Sequence, residues 1–460
     1  MAQLDLSIKR HGAFFNRCLQ VLPSAYTPTD GSRLALLFFC VSALDILGLL
    51  PFDSDDTPRR VPAIVTHEQT ERWRAWIIDT CLLPTKNAFR CSPSLTLPTT
   101  ASYTPTTVHD AVLDYDPGHA AGTYFALATL LILGDDLSAI DRPAMMRWLS
   151  ECQRDDGSFA TGVMGYRSDM PGEEVPDYVK HFGERDLRFG YCVAASRWMI
   201  GGDLLQCSED VNITSAIEYI RSCVTFDGGI GIGKLTESHG GLTYCGVGTL
   251  NLLLGDDGSS NGAALYEVLG EDAAQKMLRW TLEHQVLYVD DSDSENEDDD
   301  DDESEDGTLK KCFAGFNGRT NKACDTCYSF WLGGTLAMIP PSSPTSPSSL
   351  TSSATRSLAL SDISRNSAFL LGKTQNMTIG GFAKAPGAMP DVLHSYLGLC
   401  SLSMGAAVAR EQGLLVGDAE DDDIGILKAI APLQALDPVL CISSRARRHG
   451  EILRAKWSTP

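Results

Sequence analysis

A glycine-centred loop followed by a small-residue apolar segment recurs along this chain, and that repeat limits the possible folds more than any other feature. The loops are Asp156-Gly-Ser-Phe, Asp227-Gly-Gly-Ile, Ala314-Gly-Phe-Asn and Gly380-Gly-Phe-Ala, starting 71, 87 and 66 residues apart. Each precedes a segment that reads as helix: YCVAASRWMI from Tyr191, YCGVGTLNLL from Tyr244, CYSFWLGGTL from Cys327 and HSYLGLCSLSM from His394. A fifth, TYFALATLLILG, starts at Thr123, and amphipathic stretches such as AAQKMLRWTLEHQVL lie between them. Strand-like alternation is scarce. Helical pairs repeated in this way, about five or six times, must stack to bury their inner members. Because the inner segments are apolar on nearly all faces, a closed ring around an enclosed centre suits them better than an open solenoid. The fold class is therefore all-α, one barrel spanning residues 1–460. The glycine loops gather at its mouth, where function should lie.

Composition adds limits. The net charge is −23, but residues 290–306 alone carry 13 acids and no base, more than half of it. With no long basic run, nucleic-acid binding is not expected. About 290–308 (acidic), 339–357 (rich in Ser, Pro and Thr) and 92–107 read as inserted surface loops. The apolar run Leu34–Leu50 is interrupted by Ser42 and Asp45 and is short of the roughly 20 residues of a membrane span, so no span is expected. Without a signal peptide, the 14 cysteines read as reduced thiols of a cytoplasmic protein.

Three clusters carry chemistry: Gly315–Trp331 (GFNGRTNKACDTCYSFW), Glu237–Cys245 (ESHGGLTYC) and Gly380–Tyr396 (GGFAKAPGAMPDVLHSY). Each starts at or near a repeat loop, so the ring brings them to one mouth. Asp325, Cys327 and His394 form a plausible metal set, a carboxylate, a thiolate and an imidazole with a fourth position open. The plainer alternative is a capping Asp, a buried Cys and a core His. Arg319, Lys322 and Lys384 beside them suit a diphosphate, with His239 and Tyr328 as further donors and Gly240 and Gly241 allowing close backbone approach. A solvated basic rim is the alternative there. Other signals are weak. Cys324-x-x-Cys327 has no second pair. The stretch Gly228–Lys234 nearly matches a phosphate loop, but Leu235 stands where Ser or Thr should be. Asp135-Asp136 reads as a helix-end turn.

These motifs, with DLRFGYC and the N-terminal HGAFFNRCLQVLPSAY and SRLALLFFCVSALDIL, resemble the β subunits of the protein prenyltransferases, most nearly the type I geranylgeranyl enzymes. The resemblance implies a six-fold α/α barrel paired with a helical α subunit. It implies that Asp325, Cys327 and His394 bind one zinc ion, that His239, Arg319, Lys322 and Tyr328 hold the diphosphate, and that Arg188, Tyr191, Cys245 and Trp331 line the isoprenoid cavity. Lys384 stands ten residues before His394, where the farnesyl relatives carry an acidic residue that supports magnesium, so magnesium is not expected to be required. Ala35 matches a position where those relatives carry Trp, leaving room for a fourth isoprene unit. The expected reaction is transfer from geranylgeranyl diphosphate to the Cys of a C-terminal Cys-aliphatic-aliphatic-X motif, X often Leu, on proteins such as small GTPases. The alternatives are a farnesyltransferase or Rab geranylgeranyltransferase β subunit, a non-catalytic helical-barrel scaffold, and a Cys–His hydrolase built on Cys327 and His394.

Overall fold

A computed structural model of the chain describes residues 4–52, 62–85, 87–93, 117–163, 180–205, 209–255, 263–289, 313–342, 357–416 and 422–458. The acidic run, most of the Ser/Pro-rich run and residues 94–107 lie outside them. Fifteen α-helices are described: α1 Ile8–Gln20, α2 Arg33–Ile46, α3 His67–Trp76, α4 Ala120–Ile132, α5 Arg142–Glu151, α6 Leu187–Met199, α7 Ile213–Cys223, α8 Gly240–Leu254, α9 Ala263–Leu269, α10 Glu271–Glu283, α11 Thr326–Met338, α12 Ile363–Phe369, α13 Val392–Glu411, α14 Asp422–Ile430 and α15 Ser444–Ser458. Strands among the described residues form only two-stranded antiparallel ribbons.

Six of these helices make the ring. In order α2, α4, α6, α8, α11 and α13 pack each on the next, and α13 returns to α2. Five of them are the apolar segments of the repeat and α2 carries most of the apolar run Leu34–Leu50; burial on nearly every face explains their lack of a polar stripe. α13 is apolar and long enough to cross a membrane, but 83% of its apolar window is buried in the protein, where it closes the ring. The amphipathic helix α1 precedes the first of them in sequence, and α3, α5, α7, α10 and α12 lie between them.

The repeat glycines have a common cause at three of the four loops. Gly157, Gly228 and Gly380 have φ of +85°, +106° and +82°. A Cβ there would lie 2.1 Å from the Ser215 carbonyl oxygen, 2.5 Å from that of Lys276 and 2.3 Å from that of Arg10. Each loop thus lies against the backbone of the next amphipathic helix, α7, α10 and α1 in turn, and no side chain fits between. The fourth differs: Gly315 lies in a strand, Phe313–Phe316, paired with Gln285–Tyr288.

The inner helices have a shared polarity. α4, α6, α8, α11 and α13 start at a His or Asp side chain that accepts a first-turn backbone N–H: His119, Asp186, His239, Asp325 and Asp391. At their other ends lies the C-terminal segment. The Gln434 amide donates to the Ile46 carbonyl that ends α2. Arg445 donates to Ile132 near the end of α4 and Arg454 to Trp198 near the end of α6, satisfying carbonyls that helices leave without partners. From there residues 438–441 reach into the ring. Tyr244, Tyr191 and Tyr124 donate to the carbonyls of Pro438, Val439 and Leu440 at 2.8, 2.9 and 2.9 Å, and Tyr396 to that of Cys441. Four inner helices are thereby tied to one plug.

Gly228→Ala should lower stability by on the order of 1–3 kcal/mol, since it adds left-handed strain to a carbonyl clash. Gly233→Ala, where a Cβ would meet nothing within 4 Å, should be close to neutral. Urea unfolding of the two full-length variants checks the contrast.

Candidate active site

The site is built on the starts of the inner helices, where one residue, Asp325, both caps a helix and belongs to the candidate metal set. Asp325 caps α11 through Oδ1, which accepts the Cys327 amide at 2.9 Å. Its carboxylate also meets His394 Nε2 at 3.3 Å and Lys384 Nζ at 3.8 Å. Asp391 caps α13 through the His394 amide, and its other oxygen holds His394 Nδ1 at 2.6 Å. That bond orients the ring and leaves Nε2 directed at Asp325, the support a metal-binding imidazole needs. The ligand atoms of Asp325, Cys327 and His394 all lie within 4.8 Å of one another. A carboxylate, a thiol and an imidazole so placed fit a zinc-like cation with an open position. Cys324 is not of this set; its thiol faces the Val286 carbonyl at 3.9 Å.

The electrostatics agree. Burial pushes the Cys327 thiol up, and the Asp325 charge pushes it further. Burial would raise the Asp325 carboxyl, but bonds from His394 and Cys327 outweigh it and hold the group below its ordinary value. Burial would lower His394, yet the two carboxylates raise it to about 9. The metal-free protein thus keeps a proton on both Cys327 and His394, and a cation must displace them.

Beside this set lies a cavity of about 520 Å³. Six residues expected from the sequence line it: Arg188, His239, Gly241, Cys245, Arg319 and Trp331. Trp331 stands one turn after Cys327, so one face of α11 runs from the ligand set into the cavity. His239 Nδ1 accepts the Gly241 amide at 3.1 Å. Burial, then the charges of Arg319 and Arg188, lower its pKa, so the ring is neutral and its proton sits on Nε2. That nitrogen donates to the Tyr328 hydroxyl at 3.0 Å, freeing the Tyr328 O–H to donate elsewhere. Burial pushes the Tyr328 phenol up to about 12, so it stays protonated.

The two cavity arginines differ. Arg188 is bound by Asp186 through Nε at 3.0 Å and Nη2 at 2.6 Å, and by Glu184 at 2.5 Å. Arg319 has one such bond among the described residues, to Glu237 at 3.2 Å, on the exposed rim. Lys322 is exposed on the turn after Arg319, and Lys384 is 64% exposed.

Five expected residues stand outside the cavity lining: Tyr328, bonded to His239, and the exposed Lys322, both described above, and Tyr191, Gly240 and Ala35. Tyr191 faces inward but spends its hydroxyl on the C-terminal plug. Gly240 is buried at a helix contact, where a Cβ would lie 3.1 Å from Leu332 and 3.2 Å from Tyr328, so it serves packing while Gly241 faces the cavity. Ala35 is half-buried in the first turn of α2, one turn before Phe39, whose ring meets Phe125 and Tyr396 of the inner helices. Sequence reasoning missed Asp186, Asp391 and Glu237. The first two had a signal, since an Asp or His opens nearly every inner helix.

A protein-family profile described as "Prenyltransferase alpha-alpha toroid domain" matches residues 6–442. The chain is 30% identical over 408 residues to the geranylgeranyl transferase type-1 subunit beta of Dictyostelium discoideum, covering 87% of this chain and 91% of that one. It is 30% identical over 420 residues to the subunit of the same name from Arabidopsis thaliana, covering 88% and 85%. Its fold is similar to that of Candida albicans protein geranylgeranyltransferase-I complexed with GGPP, with a TM-score of 0.68, 26% identity, and 98% and 99% of the two chains covered.

Asp391→Asn keeps an oxygen for the helix cap but removes the charge behind His394. It should weaken metal binding about 10- to 100-fold, read by competition with a chelating indicator. In metal-free protein the raised His394 pKa adds stability that is fully present below about 6.5 and lost as pH rises through about 9. Chemical unfolding of the metal-free chain across that window should show the loss in the parent and not in His394→Gln.

Proposed function

The chain belongs to the prenyltransferase alpha-alpha toroid family, and from that premise we propose that it is the catalytic β subunit of a type I heterodimer, transferring a geranylgeranyl group from its diphosphate to the Cys of a C-terminal Cys-aliphatic-aliphatic-X motif. The observation that carries this reading is the convergence of Asp325, Cys327 and His394 beside an apolar cavity whose rim holds Arg319 and His239.

Asp325, Cys327 and His394 would hold zinc, and bound there it would keep a substrate thiol in its thiolate form near neutral pH. The new bond joins that sulfur to C1 of the isoprenoid, and the C1–oxygen bond to diphosphate breaks with its electron pair going to oxygen. Negative charge then grows on the leaving group, where Arg319 offers a guanidinium and Tyr328 its O–H. Neutral His239 fixes the Tyr328 donor by bonding its oxygen. Lys322 and Lys384 add positive charge at the mouth, and Lys384 stands in for magnesium. Leu242, Cys245 and Trp331 exclude water around the chain of the lipid. Small GTPases fit the acceptor class, and a helical α subunit is the expected partner.

Co-expression with a candidate α subunit tests the whole reading: purified heterodimer should carry one zinc and prefer geranylgeranyl over farnesyl diphosphate. A metal-free heterodimer inactive with both would reject it. Tyr328→Phe should reduce transfer about a hundredfold, the effect of removing one preorganised donor. Ala35→Trp should turn preference towards the shorter isoprenoid by tenfold or more on the order-of-magnitude scale of pocket discrimination, measured as the ratio of kcat/KM for the two diphosphates.

A further inference from the structure

Glu237 has no part in the reaction above, yet it lines the same cavity and holds the cation best placed to meet an anion. Its carboxylate lies 3.2 Å from Arg319 Nη1, with the two side chains 58% and 42% exposed. The backbone on both sides is fixed. On the Arg319 side, the Asn317 amide donates to the His284 carbonyl and the Asp325 amide to that of Phe316, while the Gly318 carbonyl accepts from Gly240. A Cβ at Gly318 would stand 1.9 Å from the Tyr328 ring, so this loop lies directly on the tyrosine. On the Glu237 side, Leu235 takes a left-handed φ of +60°. The Thr236 hydroxyl donates to the Gly233 carbonyl at 2.8 Å and accepts the Gly233 amide at 3.2 Å. The glutamate is therefore presented by a tight, strained turn, and side-chain rotation alone can separate the pair. The contrast with Arg188 supports this. Its partner Asp186 is buried and also caps α6, so that pair is a permanent wall, whereas the Arg319 pair is a single contact open to solvent.

We propose that Glu237 is a counter-ion latch on Arg319: it orients the guanidinium over the cavity and is exchanged for the diphosphate when the isoprenoid substrate binds. This rests on the diphosphate reading of the cavity. Glu237 is a positioning residue, acting through Arg319. An exposed pair of this kind is weak, so the exchange lowers anion affinity by a few-fold. The opposing charge also favours release of the free diphosphate after transfer.

The test is a double-mutant cycle read by calorimetric titration of inorganic diphosphate into the full-length heterodimer: parent, Glu237→Gln, Arg319→Gln and the double variant. Glu237→Gln should tighten diphosphate binding about three- to fivefold in the parent and leave it unchanged in the Arg319→Gln background. Glu237→Asp, whose shorter side chain still carries the charge, should fall between parent and Gln. Binding to the parent that Glu237→Gln leaves unchanged, or an equal gain in both backgrounds, would overturn the latch while leaving the diphosphate site in place. Failure of the parent and of Glu237→Gln alike to bind diphosphate would overturn the proposed function together with the latch.

Discussion

The structure depends on closure of the inner ring with its helices aligned. Once α13 packs back on α2, six largely apolar helices can bury all their faces, which no open stack of the same pairs would allow. Alignment has an electrostatic consequence, because each helix carries partial positive charge at its start and partial negative charge at its end. Summed around a ring, the starts form a mouth that favours anions, and the ends form a rim of carbonyls that needs cations. The chain meets both needs with different residue types. Asp and His caps order the mouth, and Arg445 and Arg454 of α15 cover the opposite end.

The mouth shows how little extra machinery a site needs on such a scaffold. Asp325 is a helix cap like Asp186, and His239 is a cap like His119. What makes Asp325 a candidate metal ligand is that Cys327 lies two residues on and that the next helix start brings His394 within reach. What lets His239 orient the Tyr328 hydroxyl is that capping occupies Nδ1 and so dictates which nitrogen carries the proton. Side chains already fixed for folding are rigid without further cost.

Much of this could be read from the sequence because its causes are local. The apolar segments read as helix since neither their length nor their small residues suit strands, and the grouping of Asp325, Cys327 and His394 was legible because Asp325 and Cys327 are near neighbours and His394 opens a repeat. What escaped was set by distance along the chain. Tyr191 was expected in the isoprenoid cavity and the other three tyrosines carried no expectation, and nothing near the four announces that their hydroxyls meet carbonyls up to 316 residues away. The division between Gly240 and Gly241 turned on which one faces α11. Glu237 and Arg319 are 82 residues apart, and only the ring makes them partners.

The charge of the chain belongs to the same distinction between local and global. A net −23 argues against binding an anionic substrate if it is treated as one field. At physiological ionic strength, though, exposed charges act over about 8 Å, so a total along the chain does not describe the field at any one site. On the proposed function, a diphosphate at the mouth would respond to Arg319, to the helix starts and to the carboxylates that share their hydrogen bonds. Asp186 and Glu237 are thus the acids that matter most: one keeps Arg188 in the wall, and the other leaves Arg319 exchangeable. Two arginines on one cavity are given different duties by the burial of their partners, which no count of charge along the sequence contains.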